Sequence, residues 1–81
     1  MISIKVLGPG CPNCEQLAAV AKEAALLLGV EATVTKLTDR RLFNKYHLMV
    51  TPGLVINDKL VSAGRIPHVS EVTGWLADVS A

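Results

Sequence analysis

Three features of the sequence predict an α/β fold of order β-α-β-α-β-β-α, with a four-stranded mixed sheet and helices on both faces. A β-rich start at residues 1–7 runs into a long apolar helical stripe. A second β-rich run follows immediately. Two apolar runs around a polar turn then precede a last amphipathic segment. At 81 residues, 51% of them hydrophobic and 19% charged, the chain suits one small domain over residues 1–81.

Residues 1–7 alternate weakly and are rich in Ile and Val, the pattern of a strand that Gly8-Pro9-Gly10 ends. From Cys11 or Pro12 to Leu28 the period becomes helical. Leu17, Val20, Ala21, Ala24, Ala25 and Leu28 fall on one stripe, and its alanines let the helix lie close against a sheet. Gly29 suits the left-handed residue that stops a helix. Residues 30–37 read as a second strand, parallel to the first through a right-handed crossover. Thr38 or Asp39 caps a short helix to about Tyr46, which is expected to bury Leu42, Phe43 and Tyr46. Residues 54–56 and 60–61 flank Asn57-Asp58-Lys59 as an antiparallel hairpin, and Gly64 ends its second arm. A final helix starting near Pro67 or His68 is expected to bury Val69, Val72, Trp75, Leu76 and Val79. Gly74 weakens that helix by about 1 kcal/mol relative to Ala.

Charge excludes one large class of function. Eight basic residues against seven acidic ones leave no excess to track phosphates, so no nucleic-acid partner is expected. The apolar stretch at residues 17–30 is interrupted by Lys22 and Glu23 and is too short for a bilayer. No targeting segment is visible, so the expectation is a soluble cytoplasmic monomer with no membrane partner.

The chemistry-bearing feature is Cys11-Pro12-Asn13-Cys14, which holds the only two cysteines. Closing so short a ring supplies about 2 kcal/mol, against more than 4 for a hundred-residue loop, so the pair serves chemistry rather than stability. It sits where a strand gives way to a helix. There, unpaired N–H groups and the helix dipole favour an anion, so the Cys11 pKa is expected below the usual value of about 8.5. A fall to roughly 7 would raise the thiolate fraction from about 3% to 50% while cutting nucleophilicity about fivefold. The net rate gain is only about threefold, so the low pKa matters more for leaving-group ability and redox tuning. Cys14, nearly one turn on, faces the Leu17, Ala18 and Ala21 stripe and is expected to be the more buried sulfur. Cys11 is thus assigned to attack and Cys14 to resolution. Pro12 fits the first helical turn because the N–H it lacks would be unpaired anyway.

Thr51-Pro52, opening a strand after a loop, is compatible with a cis bond or with an ordinary trans proline. If Pro52 packs against the cysteines, Thr51 offers backbone groups to an extended partner segment.

CPNC after a first strand, followed by TPGLVIN, a hairpin and SAG, resembles the thioredoxin/glutaredoxin superfamily over nearly the whole chain. The likeness is to its small thioredoxin-like redox-active disulfide proteins of archaea and bacteria. It implies a thioredoxin-like fold without an N-terminal extension, Cys11 as nucleophile, Cys14 as resolving thiol and a cis Thr51-Pro52 bond beside them. It also implies a thiol–disulfide oxidoreductase acting on disulfide-containing proteins and recharged by a thioredoxin reductase-like electron donor. No cofactor beyond the two sulfurs and no metal are expected. Gly10, Pro12, Asn13, Thr51 and Pro52 are the expected substrate-binding residues. In full thioredoxins Trp precedes the first cysteine and Gly-Pro separates the pair; here those places hold Gly10 and Pro12-Asn13. The buried acid six positions before the first cysteine is replaced by Lys5, and the glutathione-holding glycine pair of glutaredoxins is reduced to Ala63-Gly64-Arg65.

The alternative is a metal-binding module or metallochaperone using CxxC. Copper chaperones of similar size have Met where this chain has Pro9 and end in a strand, and two thiolates are an incomplete zinc site. A non-catalytic binding domain comes third. His47 reads as a helix-end residue favoured by the macrodipole, or as a charge near the Thr51-Pro52 loop. His68 and Arg40-Arg41 read as solvated helix starts, Trp75 as core, and Met49 as a groove lip or gap filler.

Overall fold

The computed structural model describes residues 2–8, 12–46, 48 and 50–80. Its elements run β1 (Ile2–Leu7), α1 (Pro12–Leu28), β2 (Ala32–Leu37), α2 (Arg40–Lys45), β3 (Gly53–Ile56), β4 (Lys59–Ala63) and α3 (Val69–Ser80). The order is the expected one. The sheet runs β2-β1-β3-β4, with β1 parallel to β2 and antiparallel to β3, and β3 antiparallel to β4.

The pleat of the inner strands sorts the core into two unequal halves. Ile2, Ile4 and Val6 of β1 and Leu54 and Ile56 of β3 meet α1 and α3 through Leu17, Ala18, Ala21, Ala24, Val72 and Leu76. The opposite face carries Leu7 and Val55, covered by Phe43, Tyr46 and Leu48 of α2 and the segment after it. Helices therefore cover both faces, but α2 covers only one end of its side: Ser3, Thr33 and Thr35 stand exposed. Among the described residues no helix is long and apolar enough to cross a membrane.

Helix ends account for most departures from expectation. Gly29, at φ 72°, closes α1 by donating to Leu26 O, while Val30 N donates back to Ala25 O. That pair of bonds is a Schellman closure. Val30 is thereby committed to ending the helix, and β2 begins at Ala32 instead of residue 30. Leu28 was expected in the buried stripe but is 38% exposed, and Leu26 and Leu27 are more so. Length explains this: seventeen helical residues span about 26 Å, whereas six strand residues span about 20 Å, so the last turn overshoots the sheet. Val79, expected in the core, lies in the last turn of α3 and is exposed, and Leu42 is only partly buried. The hairpin turn is Asn57-Asp58 alone, both at positive φ, which matches the twist of the flanking strands. Lys59 pairs with Ile56 inside β4 instead of sitting in the turn.

Asp39 caps α2 by accepting from Arg41 N at 2.9 Å. At α3, the Glu71 carboxylate reaches back to His68 N at 2.9 Å, the reciprocal half of a capping box, and also pairs with the Arg65 guanidinium.

Two predictions follow from these helices. Nothing lies within 4 Å of a β-carbon placed on Gly74. Gly74→Ala is expected to stabilise the chain by about 0.5–1 kcal/mol, raising Tm by roughly 2–8 °C in a thermal melt; a lower Tm would mean the position is not simply helical. Arg65, then the His68 N–H, holds Glu71 below its ordinary carboxylate value, so its contribution exists above the unfolded pKa of about 4.3 and is lost as pH falls through the folded value. Glu71→Gln is therefore expected to be less stable than the parent at neutral pH and to converge with it in acid. A stability gap that stays constant with pH would contradict this.

Candidate functional site

Gly8 is the first residue past β1. Its N–H still donates to Leu37 O at 3.0 Å, which holds the strand end against β2. Pro12 opens α1 and is exposed with Asn13, whereas Cys14 in the same turn is 3% exposed and belongs to the larger core. A β-carbon built on Gly8 would collide with Cys14 Sγ and would stand 4.0 Å from Pro52 Cα. The strand end, the first turn of α1 and the start of β3 thus converge on the Cys14 sulfur, and only glycine leaves it room. Gly8 reads in the sequence merely as the end of a strand. Its role is a close approach that only the third dimension shows.

The Thr51-Pro52 peptide bond is cis. Pro52 is buried and Thr51 is exposed beside it. The Pro52 carbonyl accepts from Gly64 N at 2.9 Å, tying the start of β3 to the end of β4. The structure therefore brings Cys14 and Pro52 together, with Pro12, Asn13 and Thr51 at the adjoining surface. Cys11 and Gly10 lie outside the described residues, as do His47 and Met49. His68 is exposed at the start of α3, and Trp75 packs against the larger core, as their bland readings expected.

Electrostatics near the helix start are simple. Glu15, the acidic residue in the first turn of α1, is paired with Lys36 from β2. Lys5, counted from sequence into the place of a buried acid, sits on the other face of the sheet from Cys14. The face towards Cys14 is made by Ile4 and Val6. Lys5 Nζ instead donates to Tyr46 Oη at 2.9 Å and to Asp58 Oδ1 at 3.0 Å, and the Tyr46 hydroxyl donates to Asp58 Oδ1 at 3.3 Å. The Tyr46 hydrogen bond, then that of Asp58, raises the Lys5 pKa; Lys5 in turn lowers that of Asp58. No described group of three or more His, Cys, Asp or Glu side chains is arranged to hold a metal ion.

The thioredoxin domain model matches residues 2–77. The chain belongs to the thioredoxin family. A thioredoxin of Methanocaldococcus jannaschii is 38% identical over 72 residues, covering 89% of this chain and 83% of that one. A thioredoxin of Methanothermobacter thermautotrophicus is 32% identical over 72 residues, covering 89% and 94%. Among solved structures, the germline-specific thioredoxin Deadhead of Drosophila melanogaster superposes with a TM-score of 0.66 at 15% identity, covering 96% of this chain and 80% of that one. Oxidised thioredoxin of Plasmodium falciparum does so at 0.64 and 14%, covering 99% and 82%. At such low identity the two structures speak for the fold, and the archaeal relatives support a thioredoxin-like redox protein. In this thioredoxin-family chain the helix-start cysteine and the proline occupy one locus.

Gly8→Ala is the direct test of that locus. The added methyl must displace Cys14 Sγ or the backbone, at a cost of about 1–3 kcal/mol. Chemical denaturation and the alkylation rate of Cys14 in a Cys11→Ser background are both expected to change. Parental values in both would show that the sulfur does not need the space.

Proposed function

We propose that the chain is a thiol–disulfide oxidoreductase that reduces protein disulfides through Cys11 and Cys14. The observation that carries this reading is the seat of Cys14, buried in the first turn of α1 against Gly8, which also lies beside Pro52, in a thioredoxin-family chain. The N-terminal end of a helix favours a thiolate, and Cys11 immediately precedes Pro12, the first residue of α1.

Cys11 thiolate attacks one sulfur of the substrate disulfide. The Cys11–substrate bond forms, the substrate S–S bond breaks, and the departing thiolate takes a proton from water. Cys14, as thiolate, then attacks Cys11 Sγ, releasing the second substrate thiol and leaving a Cys11–Cys14 disulfide. Two electrons have moved to the substrate. A thioredoxin reductase-like dithiol donor returns two by the reverse exchange, with no further cofactor. Because Lys5 is engaged with Tyr46 and Asp58, and Ile4 and Val6 are apolar, the proton of Cys14 leaves to solvent or to the bound partner. Exposed Pro12, Asn13 and Thr51, with Gly10, meet an extended segment of that partner, Thr51 contributing backbone hydrogen bonds. The reading places the protein as a monomer in a reducing compartment such as the cytoplasm. Family membership gives no support to the metallochaperone alternative.

Cys11→Ser is expected to abolish insulin reduction, a loss of at least about a thousandfold in rate, because a hydroxyl does not attack sulfur at neutral pH. Cys14→Ser is expected to retain attack but to trap a mixed disulfide with the substrate, visible by mass spectrometry. Full reductase activity in Cys11→Ser would sink the assignment, and stoichiometric metal in anaerobically purified protein would favour the alternative.

A further inference from the structure

The segment that delivers Pro52 to the sulfur starts at Tyr46, and Tyr46 is held by more than packing. Its ring is buried in the smaller core with Phe43 and Leu48. Its hydroxyl accepts from Lys5 Nζ and donates to Asp58 Oδ1, so one oxygen links the end of α2, the middle of β1 and the β3–β4 turn. Lys5 Nζ bridges to the same Asp58 oxygen, and the ammonium groups of Lys5 and Lys45 lie 5.5 and 5.7 Å from the ring centroid. Downstream, Leu48 N donates to Phe43 O at 2.9 Å. The Leu48 side chain fills the space over Gly53, Val50 lies over Gly64, and Gly64 N donates to Pro52 O. The path from Tyr46 to Pro52 is thus fastened at each described residue except Thr51, whose side is open to a partner.

Six residues of α2 are too few to hold their own position, so the placement of this path depends on such anchors. The anchor strand is also the informative one. β1 carries Lys5, and three residues on, just past its end, Gly8 lies against the Cys14 sulfur. A hydroxyl fixed to β1 at one end of the path therefore sets the path against the same strand that seats the sulfur.

Resting on the dithiol reading above, we propose that Tyr46 is a positioning residue for protein substrates. Its hydroxyl, clamped between Lys5 and Asp58, holds the Thr51-Pro52 backbone at the spacing from the cysteine pair that a docked extended segment requires. A small disulfide needs only the sulfurs. A protein disulfide also needs Thr51 in place, so loss of the clamp separates the two substrates.

The experiment compares wild type, Tyr46→Phe, Lys5→Met and the double variant, using insulin and a small aromatic disulfide as substrates. Tyr46→Phe keeps the ring and removes the clamp. It is expected to raise KM for insulin roughly fivefold, the loss of about one net hydrogen bond, with kcat and the small-disulfide rate within about twofold of wild type. Lys5→Met leaves the Tyr46–Asp58 bond and is expected to have a smaller effect in the same direction. The double variant is expected to match Tyr46→Phe, because both substitutions break one network. An insulin KM within about 1.5-fold of wild type overturns the inference. So does an equal fall in the insulin and small-disulfide rates, which marks a general loss of structure. Wild-type protein that reduces neither substrate overturns the dithiol reading and the inference with it.

Discussion

The whole arrangement depends on β1 serving as a central strand with two different faces. It is hydrogen-bonded on both sides, to β2 and β3, and its alternate residues reach two separate cores. Ile2, Ile4 and Val6 hold the two long helices; Leu7 and Lys5 hold the short one. Because the side-chain period is two, a slip of one residue would exchange these faces and place an ammonium group beneath the cysteine helix. The burial cost of that charge, together with the loss of Ile2, Ile4 and Val6 from the larger core, disfavours the slip. The end of β1 is fixed in consequence, and with it the bare backbone on which the Cys14 sulfur rests.

From that strand the site is assembled by three short segments that are distant in sequence. α1 brings Cys14 because its alanine face lies close to the sheet; β3 brings Pro52 because its partner in register is the end of β1; β4 closes on Pro52 through Gly64. None of these contacts requires a large cavity. The proposed exchange reaction between sulfurs asks only for a nucleophile at a helix start, a second sulfur nearly one turn later and a strip of backbone for the partner. An 81-residue chain has room for all of these.

Much of this is legible in the sequence, and the residues say why. Element order and type follow from local signals: the Ile/Val run of β1, the three-four spacing of α1, Asp39 as a cap, and Asn57-Asp58 as a turn. The chemistry proposed for Cys11-Pro12-Asn13-Cys14 rests on equally local signals, the spacing of the pair and a helix that begins at Pro12. Contacts that depend on tertiary approach are hidden. Gly8 looks like punctuation, and nothing near it in sequence announces a sulfur six residues on. Lys5 is misplaced by counting, because counting back from a cysteine ignores which way a pleat points. Leu28 satisfies helical periodicity but lies in a turn that overshoots the sheet, and Val79, also in register, stands exposed in the last turn of α3. Periodicity identifies a face; it does not say how far the partner extends.

The outer position of β2 carries a consequence for behaviour at high concentration. Among the described residues no strand lies beyond it, and its six residues, Ala-Thr-Val-Thr-Lys-Leu, have strong β preference, with neither proline nor glycine to interrupt them. The other outer strand, β4, is bent by the irregularity at Leu54/Val55 and so makes a poor template. β2 relies on Lys36 alone to repel a second chain, and Lys36 is partly neutralised by Glu15. The same lysine that pairs with the acidic group in the first turn of α1 is thus the gatekeeper of the sheet edge, so a change at Glu15 alters how well that edge resists association.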